Sequence, residues 1–570
     1  MRALPGDVDA TYAGDGKVAV SIGFADDHAW DAAIQPNGKV VVAGDAYAGG
    51  SETNVALARL TRAGALDPSF SGDGRFTIDV GAAAAPGFVQ DEAGAVAVHT
   101  DGSIVAASAG YVFDGTEDTL LLVILRLEAD GTLDPTFGGG DGIVVTDVGS
   151  IDAVGDLAIQ SDGRLVVAGS TYSYSLPYAD VALLRFEVDG DLDSTFGGGD
   201  GISTLDADDS FDSAYGIAIQ DDGKLVVAGG SSQYGAYGDS AVFRFEDDGD
   251  PDATFGGGDG VIVESLAGAN LDFAGAVAVV GGKMFVAAND GQQLVVLKLD
   301  AGGDRDAAFG DDGVATATFA IGTGNPRAVI VQPDGAILIV GSTPYLFDGD
   351  FAVARFDADG VVDATFGDGD GNVEIDLGSD RDVASAAVRQ EDGKIVVVGT
   401  SHLHLSGDSY TNAYDAFVLA RIKTSVPLHQ PDGLIKRSSA STFVGDDIYE
   451  STAKSQVVES RTSRRSTASF TIRITNDGSS KDSFMVDGCG SSGGFRVRYA
   501  KGSDSITRAV VNGTYKIAGV LPNRGVSISL KITVGRDVLP GMRRSCPVLS
   551  VSVHDPAARD AVKAKVTAKS

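Results

Sequence analysis

Short apolar runs alternate with turn residues along most of this chain, and they do so in a fixed order. A Gly-rich loop is followed by an alternating run such as Gly142-Ile-Val-Val-Thr-Asp147. A second run follows, Asp156-Leu-Ala-Ile-Gln160. A two-residue turn leads into a third, Asp162-Gly-Arg-Leu-Val-Val-Ala-Gly169, and a longer loop into a fourth, Asp180-Val-Ala-Leu-Leu-Arg-Phe186. The runs are too short and too rich in Val for helices, so each reads as a β-strand. The third run is nearly all apolar, as in Lys394-Ile-Val-Val-Val398, which suits a strand covered on both faces. Asn-Gly or Asp-Gly joins the second run to the third at Asn37-Gly38, Asp101-Gly102, Asp162-Gly163, Asp222-Gly223, Asp334-Gly335 and Asp392-Gly393. Such a pair predicts a tight type I′ turn with positive φ at both residues. Gly281-Gly282 stands in its place in the fifth unit.

The units repeat. Asp193-Ser-Thr-Phe-Gly-Gly-Gly-Asp-Gly201 has copies whose aromatic residue falls at Tyr12, Phe70, Phe137, Phe196, Phe255, Phe309 and Phe366, in steps of 58, 67, 59, 59, 54 and 57 residues. A period of this length marks a repeat architecture. Four strands per unit, seven times over, predict a seven-bladed β-propeller whose blades cover one another. The last unit, after Arg421, has no Asp-x-x-Phe loop of its own, while an orphan copy, Asp9 to Gly16, precedes the first. The N-terminus is therefore expected to dock at the last blade and complete the ring. An open solenoid would not need that match.

Three motifs in fixed order carry a resemblance. Gln332-Pro-Asp-Gly335, the run Phe351 to Phe356 and Leu133-Asp-Pro-Thr-Phe-Gly138 resemble the delta-60 repeat family of bacterial proteins, over roughly Asp7 to Lys423. The resemblance implies an exported or surface propeller, and brings no family-wide reaction or catalytic residue with it.

After Lys423 the pattern changes. Residues 1–425 read as the propeller, 426–441 as a linker with Pro427 and Pro431, and 442–570 as a second all-β domain. Ser469 to Thr475, Phe495 to Tyr499, Val526 to Val534, Leu549 to Val553 and Ala561 to Val566 alternate polar and apolar positions. Short strands with one polar face predict a β-sandwich. By pattern it is similar to the immunoglobulin-like modules of bacterial surface proteins. Cys489 and Cys546 both lie in this part. A disulfide between them would close a loop of about 57 residues and add roughly 4 kcal/mol on a chain-entropy account. Two buried free thiols are the alternative.

Charge separates the same two parts. From Gln430 onward there are 22 Lys+Arg and 12 Asp+Glu, against 21 and 68 before it. The acidic part would repel nucleic acid, and its acid excess suits solubility or divalent-cation binding. No apolar run reaches membrane-spanning length. Met1 to Asp9 has no apolar core of a signal peptide, so export would use a signal outside this sequence. The localisation expected is extracellular or at the cell surface, and the protein is expected to be a monomer.

The position five residues after each loop Gly holds Ser21, Asp79, Asp147, Asp206, Ser265, Thr318 or Asp376. On the expectation that the first strand of a blade lines the central channel, these residues ring it with oxygen, and Asp79, Asp147, Asp206 and Asp376 become candidate ligands for Ca2+. A polar strand end is the bland reading. Asp27, Asp91, Asp152, Asp212 and Asp382, with Asp272 one place off, are expected to cap turns. The fourth-strand cations Arg59, Arg126, Arg185, Arg244, Lys298, Arg355 and Arg421 are expected to pair with loop carboxylates such as Asp193, or else to face solvent. His402-Leu-His404 is a candidate metal pair, or a loop surface. Gly490-Ser-Ser-Gly-Gly494 fits a nucleophile motif without the strand-to-helix setting that motif needs. Aromatic residues in the long loops, Tyr172 to Tyr178 with Tyr234 and Tyr237, are candidates for gripping a glycan or peptide. No catalytic constellation stands out. The reading is a non-enzymatic protein for binding or scaffolding, with a surface glycan or a protein as partner. The alternative is a hydrolase or lyase using Asp147 and Asp206 at the channel mouth.

Overall fold

A computed structural model gives the fold. It describes residues 5–23, 26–49, 52–80, 92–113, 118–147, 151–171, 179–207, 210–232, 238–266, 272–290, 293–319, 325–343, 349–367, 369–379, 381–404, 413–424, 431–440, 442–444, 456–476, 481–521, 524–553 and 559–569. Nearly every regular element is a strand; the helix among these residues is the short Thr507–Val511. Two compact units result, one spanning Pro5–Thr424 and the other containing Ser425–Ser570.

Among the described residues the first unit holds seven four-stranded antiparallel sheets. In the first sheet Asp27–Ile34, Val40–Gly49, Glu52–Leu60 and Arg75–Ile78 pair in that order. The opening strands of the seven sheets are Asp27–Ile34, Glu92–Val98, Ile151–Ile159, Phe211–Ile219, Ala274–Val280, Ala328–Val331 and Asp382–Arg389. Each packs against its counterpart in the next sheet, and Asp382–Arg389 packs back against Asp27–Ile34. These are the inner strands. The arrangement is that of a β-propeller, with hydrophobic cores between neighbouring sheets. Val40, Val42, Val396, Val398 and Phe417 form the core between the first sheet and the last.

The strand after each Gly-rich loop is not the inner one. Arg75–Ile78, Ile143–Thr146, Ile202–Leu205, Val261–Glu264, Val314–Ala317 and Asn372–Ile375 each pair with the strand just before the loop, at the edge of the preceding sheet. The sequence repeat is therefore one strand out of phase with the sheets, and the expectation that its first strand lines the channel is overturned. The physical reason is space. Neighbouring inner strands converge, and a Cβ on Gly155 would lie 2.2 Å from the Ala214 carbonyl oxygen, one on Gly275 1.9 Å from that of Pro326. At these two points no side chain larger than glycine's hydrogen fits between the strands. The edge strands end in exposed polar residues instead.

Ring closure follows from the same phase shift. Lys17–Val20 pairs with Ala413–Ile422 and completes the seventh sheet. Gly6 and Asp9 donate to the carbonyls of Lys423 and Arg421, and Lys423 donates to that of Asp7. Gly190, Asp193 and Glu187 make the same three bonds inside a continuous turn. Residues 5–9 thus take over a turn that the chain leaves at Thr424.

The hairpin turns also differ from expectation. In the first sheet Ile34 pairs with Val40, Gln35 donates to the Lys39 carbonyl, and within the turn only Gly38 has positive φ. This is a three-residue loop closed by a left-handed glycine. The Asn37 side chain accepts from the Lys39 N–H at 3.0 Å, holding the residue before the glycine at negative φ. Only Gly281-Gly282, where Val280 pairs directly with Lys283, has positive φ at both central residues.

Among the described residues the second unit has two five-stranded sheets on one core. Pro431–Arg437, Thr467–Asn476, Arg524–Val534, Phe495–Lys501 and Asp504–Ser505 make one sheet. Val457–Thr462, Arg559–Ala568, Arg543–Ser552, Asp482–Gly488 and Tyr515–Val520 make the other. Ile472, Leu530 and Ile532 from the first meet Phe484, Val548 and Val566 from the second. Inside the expected linker, Pro431–Arg437 is a strand bonded along its length to Thr467–Asn476. Pro431 is tolerated there as the first residue of an edge strand, and Leu434 and Ile435 are buried. Cys489 and Cys546 form a disulfide with their Cα atoms 5.2 Å apart, and the Tyr499 hydroxyl lies 3.1 Å from the Cys546 sulfur.

Candidate functional site

The repeated chemistry sits at the joints between sheets. Asp193 Oδ1 accepts from the Thr195 N–H at 2.8 Å and from its hydroxyl at 2.6 Å, which fixes the loop. Asp193 Oδ2 accepts from Arg185 Nε at 2.7 Å. The other guanidinium arm of Arg185 donates to the Asp247 carbonyl in the next sheet's turn. Its face covers the buried Phe196 ring at 4.5 Å, and that ring presses on Gly249 of the next turn, where a Cβ would come within 2.8 Å. The set recurs. Arg59, Arg126, Arg244 and Arg421 lie 2.6 to 2.8 Å from Asp67, Asp134, Asp252 and Asp9, and cover Phe70, Phe137, Phe255 and Tyr12. Lys298–Asp306 and Arg355–Asp363 are looser, at 3.3 and 3.4 Å. Burial pushes the Asp193 carboxyl up, but Thr195 and Arg185 outweigh it and hold it at about 2. The fourth-strand cations therefore pair with loop acids.

The seven polar residues expected in the channel lie elsewhere. Ser21, Asp79, Asp147, Asp206, Ser265, Thr318 and Asp376 are all exposed, just past the ends of the outer edge strands. The second acidic set caps. Asp27, Asp212, Asp272 and Asp382 are buried and accept the backbone N–H of Ile22, Ala207, Leu266 and Leu377, the residues that follow Ser21, Asp206, Ser265 and Asp376. Asp91 lies outside the described residues, as do Tyr172 to Tyr178, Tyr234 and Tyr237; Asp152 is described only as backbone. At one sheet end three acids converge: one carboxylate oxygen from each of Asp350, Asp376 and Asp382 lies within 4.8 Å of the others. Burial, with the Asp376 charge, outweighs the hydrogen bonds from Ser379, Ser401 and Leu377 and leaves the Asp382 carboxyl raised.

Two carboxylates that the sequence reading passed over line the channel. Asp31 and Asp156 occupy the same position on the first and third inner strands. Asp31 accepts from Val96 N–H on the neighbouring inner strand at 2.7 Å, and Asp156 from Ile217 N–H at 2.9 Å. Burial, then the nearby Asp156 charge, pushes Asp31 up to about 7; burial pushes Asp156 up to about 6. Just before that position six of the seven inner strands bulge. The ladder skips Trp30, Gly94, Gly155, Tyr215, Gly275 and Ser385. In the sixth sheet Arg327 precedes Ala328 there and bonds to the Val340 carbonyl.

At the seam between the last and first sheets, His28 bridges Asp45 and Asp415, each at 3.1 Å. These bonds outweigh burial and push His28 up to about 10. His402 joins the same network through Asp415 at 2.6 Å; the side chain of His404 is not among the described residues. The Gly490 to Gly494 segment is a loop, with Ser491 accepting from Val497 N–H, and no helix follows it directly.

Five segments, 35–70, 99–137, 160–196, 220–255 and 332–366, match the family described as Domain of unknown function (DUF5122) beta-propeller. Each runs from a hairpin turn to the loop aromatic, so these segments are β-propeller repeats. No curated protein matches the chain. Among solved structures it is similar to Sqt1 from Chaetomium thermophilum, at 12% identity over 71% of this chain and 99% of that one, with a TM-score of 0.39. It is also similar to a polysaccharide lyase of the ulvan lyase type, at 11% identity over 72% and 96%, with a TM-score of 0.40. A third is the PQQ-bound aldose sugar dehydrogenase of Streptomyces coelicolor, at 14% identity over 60% and 93%, with a TM-score of 0.29. At these values none of their chemistry transfers. No helix among the described residues is long and apolar enough to cross a membrane.

Proposed function

We propose that Pro5–Thr424 is a seven-bladed propeller of the delta-60 repeat kind, that the second unit is an immunoglobulin-like module, and that the whole is an exported, non-enzymatic protein for binding or scaffolding at the cell surface. One observation carries this reading: the chemistry that repeats is spent on holding sheets together. The Arg–Asp–Phe set stiffens a ring on which the variable loops are free to differ, as binding loops on rigid scaffolds do. The disulfide supports an oxidising compartment. Incubating the full chain with glycan and peptide panels tests it; retention of a ligand without turnover is the expected result, and turnover would overturn it.

A second reading has its own observation. Asp31 and Asp156 are two carboxylates on inner strands, both with raised pKa values, and raised carboxyls are what acid–base hydrolysis or elimination uses. As each also ties an inner strand to its neighbour, we favour the structural role. Loss of any detected turnover in Asp31→Asn with Asp156→Asn is what this reading expects; turnover that survives would remove these two carboxylates from the chemistry. The calcium proposal rests on Asp350, Asp376 and Asp382 rather than on a channel ring. Melting with chelator, then with calcium, tests it, and an unchanged midpoint removes it.

A further inference from the structure

Within each sheet the inner strand begins at the same end of the ring as the loop joining the second strand to the third, and Trp30 and Tyr215 lie midway along their inner strands. Most bulge positions hold glycine or serine. Two hold large side chains, Trp30 and Tyr215, and Arg327 stands at the matching register just before the sixth inner strand. Among the described residues, Trp30 and Tyr215 are the two aromatic side chains counted as exposed large hydrophobics, at 40% and 39%. Both rings are held. Trp30 Nε1 donates to the buried Asp45 at 2.6 Å, and the Tyr215 ring lies 5.5 Å from that of Phe273. Fixed, exposed aromatic faces in register around one opening are prepared stacking surfaces, because little side-chain entropy remains to be lost on binding.

Arg327 is the second observation. The chain before residue 430 has 68 acidic residues against 21 basic ones, and the fourth-strand cations all have carboxylate partners. Arg327 is half-buried at the opening and has no ion pair among the described residues. Burial pulls its guanidinium below the usual arginine range. A cation left in that state favours a ligand that brings the missing anion. The acid excess argues against a polyanion, since each further negative charge meets the repulsion of the ring.

We propose that this channel mouth binds a short oligosaccharide bearing a single carboxylate, with sugar rings stacked on Trp30 and Tyr215 and the carboxylate paired with Arg327. The proposal rests on the binding reading above and names its ligand class. Trp30 is the only tryptophan of the chain, so its emission reports on this mouth alone. The full chain is titrated with xylotriose carrying one glucuronate and with the methyl ester of the same sugar. The acid is expected to shift the Trp30 emission saturably and to bind at least about tenfold more tightly than the ester, about 1.4 kcal/mol. Arg327→Gln should erase that preference, and Tyr215→Ala should weaken both sugars. The ester comparison needs no variant, so a misfolded Arg327→Gln protein would not leave the idea untested. An unchanged emission with the acid sugar overturns it. So does binding, seen by equilibrium dialysis, that neither substitution alters; that result would leave the broader binding reading in place, whereas turnover of the sugar would remove that reading instead.

Discussion

A single side chain, Arg185, shows how much one position does here. It neutralises Asp193, caps a turn of the next sheet and covers Phe196. Arg185→Met leaves the buried Asp193 without its best partner, and we expect a loss of about 3 to 5 kcal/mol in urea unfolding, the usual cost of breaking a buried pair on one side. A loss below about 1 kcal/mol would sink the account. This joint was legible in the sequence because cation, acid and aromatic recur at fixed spacing. Asp31 and Asp156 were not, because only two of seven repeats carry an acid there and a repeat is read from what its copies share. Their raised values mean that the folded chain holds protons which the unfolded chain has released above its ordinary carboxylate pKa of about 4. Their contribution to stability therefore falls as pH rises from about 4 towards about 7. The double variant Asp31→Asn, Asp156→Asn should flatten the dependence of the melting midpoint on pH between 5 and 8; an unaltered slope contradicts the pairing.

At the scale of strands and turns, spacing identified the elements, but it left their phase open. A period cannot say where one sheet ends and the next begins. Close approach can. The glycine column at Gly94, Gly155 and Gly275, with Gly216 one residue along on its own strand, marks the strand nearest the axis, and was a sequence signal that composition concealed in a chain with 77 glycines. Gly155→Ala places a Cβ 2.2 Å from a backbone oxygen that cannot withdraw without moving its strand. It should lower stability by about 1 to 3 kcal/mol, as overpacking does, while Gly139→Ala, with open space but positive φ, should cost less. The strand Pro431–Arg437 was hidden for a different reason: two prolines nearby read as punctuation. In the second unit, reduction of the Cys489–Cys546 bond should lower one calorimetric transition by an amount equivalent to about 4 kcal/mol and leave the propeller transition where it is.

For the whole chain, the separation of charge has a measurable effect. The part before residue 430 repels itself, whereas its ion pairs are largely buried and poorly screened. Salt should therefore stabilise the propeller: its melting midpoint should rise between about 10 mM and 500 mM NaCl, as the screening length falls from about 30 Å to a few ångströms. A falling midpoint would show that exposed pairs matter more than the net charge.

The turn shared by Thr424 and Pro5 has a kinetic consequence. Six of the sheets are assembled from neighbours along the chain, but the seventh waits for Lys17–Val20 to meet Ala413–Ile422. Closing a loop of about 400 residues costs roughly 5 kcal/mol in chain entropy, before its constant. Contacts this remote form late. Folding should accordingly proceed through an open arc of sheets, with edges bare at both ends until the first strand arrives, and the concentration at which two such arcs meet sets how often one molecule's opening strand completes another's ring.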